Sequence, residues 1–328
     1  MRLQQLEAQG PIALVIDESL NGAEPSTLGH QYLLGIFPLT SVYFQHGVER
    51  QATELVVDAL LEKGYRVVTA PPSAAPSAAA QVRPSVVIRP QIVGLRINGF
   101  DAVFFRMLDL SGELRVTFLS LDAEREVREV RRSLAETHYK KYAHAPLLAN
   151  TFQRKVRSAL EVALASEPTL RHSRLLSTAG AEAGAESFVV VELPYYVNPP
   201  ALGIGKFIAA SYGYDSVSAL NNRALSRLIQ RGVEVELSRG GTPFASIQSS
   251  AFPVPDHARA LGIAIEALEL EEETKLHLRT RFTSASGAQI CEAHEPMAEH
   301  VDGAWVVTLE NAAMHAFEKY RAGECGDG

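Results

Sequence analysis

Residues Glu49–Val68 read ERQATELVVDALLEKGYRVV, and this stretch decides the fold of the chain. Its apolar residues recur at the spacing of one helix face, which gives a continuous stripe: Ala52, Leu55, Val56, Ala59 and Leu60. Gly64 follows at the position where a left-handed residue often ends a helix, because glycine has no Cβ to clash. The run Tyr65–Val68 is rich in β-forming residues. The stretch therefore predicts a helix, a glycine stop and a strand.

A second stretch, Asn221–Glu236, has a similar pattern, NNRALSRLIQRGVEVE. Its segment LIQRGVEV aligns residue for residue with LLEKGYRV of the first stretch. The alignment predicts a second apolar helix stripe formed by Leu225, Leu228 and Ile229. It also predicts that Gly232 ends this helix and that Val233 and Val235 lie in the strand that follows. The chain is accordingly predicted to contain two copies of one α/β unit.

The composition is that of a folded, water-soluble protein. A length of 328 residues allows two domains that each bury a core, and 46% apolar with 21% charged residues is typical of globular proteins. The net charge of −7 argues against nucleic acid as the main partner, since phosphate binding favours a basic surface. No apolar run reaches the roughly 18 residues that a membrane-spanning helix needs.

The first unit is predicted to contain a sheet that begins with the buried strand Pro11–Asp17. Leu28–Gly47 is apolar and aromatic but is interrupted by glycines and Pro38, which allows a β-hairpin or a long ordered loop. Ala70–Pro84, APPSAAPSAAAQVRP, is low in complexity and is predicted to be a mobile loop.

The remainder of the first unit is predicted to be a β-meander and a closing helix. Arg125–Leu134 fits a strand or a short helix, and a hairpin turn expected at 122–124 favours the strand. The other expected elements are strands at Ser85–Ile97, Ala102–Leu110 and Glu113–Leu121, a turn at Ser111–Gly112, and a helix at Pro146–Ala165.

The second unit is predicted to repeat this order. Its expected elements are strands at Phe188–Tyr196, Phe244–Phe252, Ala260–Leu270, Thr274–Thr283 and Ala288–His294, and a closing helix within Val301–Lys319. The predicted fold class is α+β, with two tandem repeats of a β-α-β-meander-α two-layer sandwich unit. The predicted boundaries are a first unit at 1–165, a linker at 166–187, a second unit at 188–320 and a flexible tail at 321–328.

The two cysteines are not spaced as metal ligands. We expect Cys291 to be a buried thiol in a strand and Cys325 to be a thiol in the tail, since free cysteine is commonly buried. The alternative is a disulfide that ties the tail to the strand, which requires an oxidising compartment.

Short motifs give no catalytic, cofactor-binding or metal-binding residue. Lys206 follows two glycines but is followed by Phe207, so the phosphate-loop pattern GxxxxGK[ST] is not met. His294 and His300 lie near Glu295 and Glu299, and we interpret these four residues as a surface cluster.

Both units carry an aromatic, glycine-rich insert between the first strand and the first helix. We interpret these inserts either as loops that cover one face of a sheet or as exposed partner-binding loops. The candidate partner-binding residues are Leu33, Phe37, Tyr43, Phe44, Phe207, Ile208, Tyr212 and Tyr214.

The first unit resembles the YajG-type family of envelope lipoproteins in the order of its segments. The resemblance spans most of Pro11–Ala165 and rests on IALVID, VERQATELVVDALLEKGYRVV, VVIRPQIVGLRI, LRVTFLSLDAEREVREVRRS and NTFQRKVRSALEVALA. The second unit follows the same order more loosely. Auxiliary lipoproteins of ABC-type transport systems and outer-membrane assembly lipoproteins share this plan. The resemblance implies an exported, non-catalytic protein on the periplasmic side of the outer membrane, held by a lipidated N-terminal cysteine, whereas the cysteines here are at 291 and 325.

Two functions are compatible with these patterns. The first is a non-enzymatic envelope protein that acts as a scaffold or accessory subunit, with other envelope proteins or a lipid surface as partners. The alternative is a small-molecule-binding or enzymatic protein with its site in the cleft between the two units. No signal peptide is visible in MRLQQLEAQGPIALVID, so we expect a periplasmic location if an export signal was removed and a cytoplasmic one otherwise.

Overall fold

The computed structural model describes residues 10–21, 27–33, 37–43, 48–101, 106–119, 126–140, 145–165, 188–197, 222–249, 259–271, 275–296 and 304–327. The chain divides into two compact units, Met1–Ala181 and Glu182–Gly328. The division falls inside the predicted linker at 166–187, whose residues lie outside the described ones. The fold is α+β, with parallel and antiparallel strand pairings and five helices among the described residues.

Unit 1 contains a mixed sheet centred on its first strand. In chain order its elements are β1 Ile12–Ile16, a 3₁₀ turn Glu18–Asn21, β2 Thr27–Leu33, β3 Phe37–Tyr43, α1 Val48–Glu62, β4 Arg66–Ala70, α2 Ala75–Val82, β5 Val86–Asp101, β6 Arg106–Leu119, β7 Glu126–Ser133, β8 Glu136–Lys140 and α3 Ala145–Ala165. β1 lies parallel to β4 on one side and to β5 on the other. β5 is antiparallel to β6, which pairs in turn with β7 and β8.

The core of unit 1 confirms the predicted helix stripe. Ala52, Val56 and Leu60 of α1 are all 0% exposed and lie in one apolar cluster with β1, β5 and α3. Gly64 has φ +82°, as expected for the residue that ends this helix. The predicted strand Pro11–Asp17 and the predicted helix Pro146–Ala165 are confirmed as β1 and α3.

The prediction of a mobile loop at Ala70–Pro84 is wrong, because helix α2 occupies residues 75–82. Its alanines fall at helical spacing, and alanine is the strongest helix former. Pro76 lies in the first turn, where the missing N–H has no helical acceptor to lose. The buried face packs near β1 and consists of Ala75, Ala78, Ala79 and Val82. Small side chains allow this close approach, which low complexity alone did not indicate.

The predicted turn at Ser111–Gly112 is also wrong, since β6 runs through it without interruption. The irregularity lies in the partner strand, where β5 carries a bulge between Val93 and Arg96. Gly112 lies against that bulge, and a Cβ added there would be 3.2 Å from Leu95 Cα. The glycine therefore accommodates a bulge and does not mark a strand end.

The strands of unit 2 are likewise paired both in parallel and antiparallel. Its elements are β9 Val189–Val191, β10 Tyr195–Tyr196, α4 Asn222–Arg239, β11 Phe244–Ile247, β12 Arg259–Glu271, β13 Lys275–Ser284, β14 Gly287–Pro296, α5 Ala304–Ala322 and β15 Gly326–Asp327. β9 lies parallel to both β11 and β12. β12, β13 and β14 form an antiparallel meander, which β15 extends by two residues. The predicted strand Phe188–Tyr196 is divided into β9 and β10, both of which pair with β12.

The predicted stop at Gly232 and the predicted strand at Val233 and Val235 are wrong, because α4 continues through them to Arg239. Gly232 is the point where α4 meets α5. A Cβ added there would lie 2.7 Å from Ala313 Cβ and 2.9 Å from Met314 N, so only glycine fits the contact. The helix ends instead before Gly241, which has φ +64°, and the strand that follows is β11.

None of the described helices is both long enough and apolar enough to cross a membrane.

We expect Gly232→Ala to destabilise the protein by about 1–3 kcal/mol, because the added methyl overpacks the contact between α4 and α5. In a helix with no neighbour at that position, Gly→Ala would stabilise the protein by about 0.5–1 kcal/mol. A loss of stability therefore identifies the close contact between α4 and α5. Urea unfolding measures the difference. Gly326→Ala is the control, since a Cβ there meets nothing within 4 Å. A Gly232→Ala variant as stable as wild type would contradict the close contact.

Candidate functional site

The carboxyl ends of the parallel strands in unit 1 form a polar cluster, at the edge where open α/β sheets usually bind ligands. Asp17 directly follows β1 and is 5% exposed. Its Oδ1 accepts hydrogen bonds from Ser19 N at 3.0 Å, Ser19 Oγ at 2.6 Å and Thr53 Oγ1 at 3.5 Å. Beside it, Glu18 pairs with Arg89 at 3.2 Å. This cluster ties the end of β1 to α1.

Unit 2 has a different polar link at the corresponding edge of its parallel strands. Gln230 of α4 is 1% exposed, and its amide nitrogen donates to three main-chain carbonyls. These carbonyls belong to Val191 at 3.4 Å, Glu192 at 3.3 Å and Ile247 at 3.1 Å. One side chain thereby joins α4 to the ends of β9 and β11, near the start of the second insert.

Tyr196 lies two residues before the second insert leaves the described part of the chain. Burial raises the pKa of its hydroxyl above the ordinary value, so the group stays neutral at physiological pH. Its oxygen has no hydrogen-bond partner among the described residues. This hydroxyl can donate or accept a hydrogen bond but does not serve as a base at neutral pH.

The predicted partner-binding residues fall in two groups. Leu33, Phe37 and Tyr43 lie in the antiparallel pair β2–β3, where Leu33 is opposite Phe37 and Tyr43 is opposite Thr27. The sequence allowed either a β-hairpin or a long ordered loop for this insert, and the described residues form the hairpin. The remaining predicted residues lie outside the described part of the chain: Phe44, Phe207, Ile208, Tyr212 and Tyr214. Partner binding by these inserts stays a prediction.

The expectation of two free thiols is wrong, because Cys291 of β14 forms a disulfide with Cys325. Helix α5 brings the chain back alongside β14, which places the two Cα atoms 4.9 Å apart, within the range for disulfides. The segment predicted as a flexible tail at 321–328 contains the end of α5, this cross-link and β15. The 34-residue separation in sequence could not indicate this proximity.

A histidine pair lies on the other face of the β13–β14 hairpin. His277 and His294 are directly opposite in the register, and their rings stack with centroids 4.4 Å apart and planes 3° from parallel. Glu292 Oε2 lies 3.9 Å from His277 Nε2. Sequence reasoning missed this pair, although counting outward from the predicted turn between the two strands would have placed the histidines opposite each other.

The interpretation of His294, Glu295, His300 and Glu299 as one surface cluster is not what the described residues show. His294 and Glu295 point to opposite faces of β14, and Glu295 pairs with the ring of His315 on α5. His300 and Glu299 lie outside the described residues. A cleft of about 330 Å³ lies between this end of β14 and α5. Within it, Lys319 Nζ donates to the carbonyl of Glu292 at 2.7 Å.

No family model and no curated protein matches the chain. The similar solved structures include a neuraminyllactose-binding hemagglutinin homologue from Helicobacter pylori, with a TM-score of 0.31 and 12% identity over 50% of this chain and 90% of that chain. They also include lipoprotein GNA1162 from Neisseria meningitidis, with a TM-score of 0.23 and 12% identity over 48% of this chain and 99% of that chain. At these TM-scores neither similarity identifies the function.

We expect the Cys291→Ala/Cys325→Ala variant to lose about 4 kcal/mol of stability, because the disulfide closes a loop across 34 residues of sequence. Urea unfolding without reductant measures this difference. Wild-type protein unfolded in urea with a reductant is the matched control, and its free energy of unfolding should fall by a similar amount. Alkylation of two thiols in non-reduced wild type, detected by mass, would contradict the disulfide.

Proposed function

We propose that the chain is an exported bacterial envelope protein, without enzymatic activity, that acts as a scaffold or accessory subunit of an envelope or transport assembly through protein–protein contacts. The observation that supports export is the disulfide between Cys291 and Cys325. Such cross-links persist in oxidising compartments such as the periplasm and are rare in the cytosol. The periplasmic side of the outer membrane, implied by the resemblance to YajG-type lipoproteins, is such a compartment.

We also propose that the two units are tandem copies of one β-α-β-meander-α plan. The pairings support this: β1 lies parallel between β4 and β5, and β9 lies parallel between β11 and β12. In each unit the longer of the two flanking strands continues into an antiparallel meander, and a helix follows. In this correspondence α4 matches α1 and β11 matches β4. The end of α1 at Gly64 then corresponds to the end of α4 before Gly241, and no residue of unit 1 corresponds to Gly232.

The proposed docking surface is the β2–β3 hairpin, defined as residues 27–33 and 37–43. In the described pairings β3 is bonded to β2 alone, so its outer edge can offer main-chain N–H and C=O groups to a strand of another protein. The strand reads FPLTSVY and contains Phe37 and Tyr43. Aromatic residues are enriched at protein interfaces, which supports an envelope protein as the partner of this hairpin.

Fractionation of the native bacterium tests the location. We expect the protein to accompany envelope markers, and its cysteines, once the protein is denatured, to resist alkylation until a reductant is added. The reason is that the cross-link persists where no reducing system acts on it. A cytosolic protein with thiols is the control for leakage. Recovery with cytosolic markers, in a form whose two cysteines react without reductant, would contradict export.

Photo-crosslinking in living cells tests the docking surface. A photoreactive phenylalanine at Phe37 or at Tyr43 is expected to give one discrete protein adduct, because both positions lie on the proposed edge. The matched control is the same residue at Val162 of α3, which is 47% exposed. Each variant must show the circular dichroism spectrum of wild type.

Three outcomes of this experiment would contradict the docking proposal. The first is an adduct pattern from Phe37 and Tyr43 that is the same as the pattern from Val162. The second is crosslinking to lipid alone, which would assign the hairpin to a membrane surface. The third is the absence of any adduct from correctly folded protein.

A further inference from the structure

The open face of the β13–β14 hairpin gathers three side chains with metal-binding atoms. Along both strands, buried residues alternate with exposed or half-exposed ones, as expected for a sheet with one covered face. Leu276, Leu278, Cys291 and Ala293 are on the covered face. The residues between them are on the open face, and those with metal-binding atoms are His277, Glu292 and His294.

The backbone fixes the two histidines side by side. His277 and His294 are cross-strand partners, and such partners have Cβ atoms about 4.5–5.5 Å apart. The hairpin is held by a continuous ladder from Lys275–Pro296 to Ser284–Gly287, so this spacing does not depend on a loop. One ligand atom from each histidine and one from Glu292 all lie within 4.8 Å of one another.

The carboxylate of Glu292 is oriented by its own cross-strand partner. Arg279 is opposite Glu292 in the register, and its Nε lies 3.5 Å from Oε1. The second oxygen, Oε2, is the one near His277. An outer partner that holds one carboxylate oxygen and leaves the other toward the ligands is a common feature of metal sites.

We propose that His277, His294 and Glu292 bind one divalent transition-metal ion of the Zn²⁺ type. Two imidazole nitrogens with one carboxylate oxygen form a donor set that zinc uses with a fourth position open to water. Imidazole ligands favour zinc and its neighbours over Mg²⁺ and Ca²⁺, which prefer oxygen. The proposal concerns ion binding alone and does not depend on the proposed function.

The geometry requires only a small rearrangement. Zinc bonds of about 2.0–2.1 Å place tetrahedral ligand atoms about 3.4 Å apart. The three atoms, now within 4.8 Å, must therefore approach by about 1.4 Å at most. Glu292 and His294 are exposed, so their side chains can rotate toward His277, which is half-buried. The bound ion would join β13 to β14 on the face opposite the disulfide.

A second histidine–glutamate pair on the covered side of β14 provides the matched control. His315 of α5 pairs with Glu295, and both line the cleft beside β14, whose lining also includes His294. This pair has one imidazole and one carboxylate, and it lacks the second cross-strand imidazole. Removing His315 should therefore leave zinc binding intact.

The test uses full-length protein without a histidine tag, stripped with a chelator and dialysed. Isothermal titration with Zn²⁺ is expected to show one ion per chain in wild type. His277→Ala, His294→Ala and Glu292→Gln should each weaken binding by at least about 10-fold, while His315→Ala should change it by less than about 2-fold. Thermal unfolding should shift upward with Zn²⁺ in wild type and His315→Ala only, because an ion that binds the folded state stabilises it.

Circular dichroism of each variant without metal must match wild type, so that lost binding is not lost folding. Two results would overturn the proposal. One is folded wild-type protein that binds no Zn²⁺. The other is binding that survives His277→Ala and His294→Ala but disappears in His315→Ala, which would place the ion in the cleft beside α5.

Discussion

In each unit a short apolar strand is hydrogen-bonded in parallel on both sides, and the arrangement of the other elements depends on this pairing. Ala13, Leu14 and Val15 of β1 are each 0% exposed, and Val190 and Val191 of β9 are as well. A parallel neighbour cannot be reached through a tight hairpin, so the chain must cross over the sheet, usually through a helix. Helices α1 and α4 provide these crossovers. The inserts therefore begin at the carboxyl ends of β1 and β9, beside the polar groups around Asp17 and Gln230.

The two units hold those strand ends by different means. In unit 1 a carboxylate accepts hydrogen bonds from a turn and a helix, and in unit 2 an amide donates to three carbonyls. Buried polar groups that are fully hydrogen-bonded rigidify their surroundings. In unit 1 the insert returns to the sheet, where β2 pairs in parallel with β5 and β3 forms the outer edge that is proposed to bind a partner strand.

The β13–β14 hairpin combines two constraints on opposite faces. On the covered face Cys291 joins the strand to the residues after α5, and on the open face His277 and His294 stack across the strands. The disulfide supports the proposed export to an oxidising compartment, and the stacked imidazoles are the basis of the proposed metal binding. The disulfide could not be inferred from spacing in the sequence, whereas the histidine pair follows from counting outward from the predicted turn between the two strands. The cysteines become neighbours only because α5 reverses the chain, and the histidines only because of the strand register.

The sequence by itself determined the elements whose signal is local. The stripe through Ala52, Val56 and Leu60, the glycine stop at Gly64 and the alternating strands β12, β13 and β14 depend on periodicity within one segment, and the sequence predicts them. Tertiary structure decided the rest. A glycine in a helical pattern can end the helix or let another helix approach, and only the position of Ala313 makes Gly232 the second kind. An alanine-rich segment can stay mobile or pack, and only the neighbouring β1 makes residues 75–82 a buried helix. In both cases the local backbone preferences are compatible with either outcome, and the surface against which the segment packs selects one.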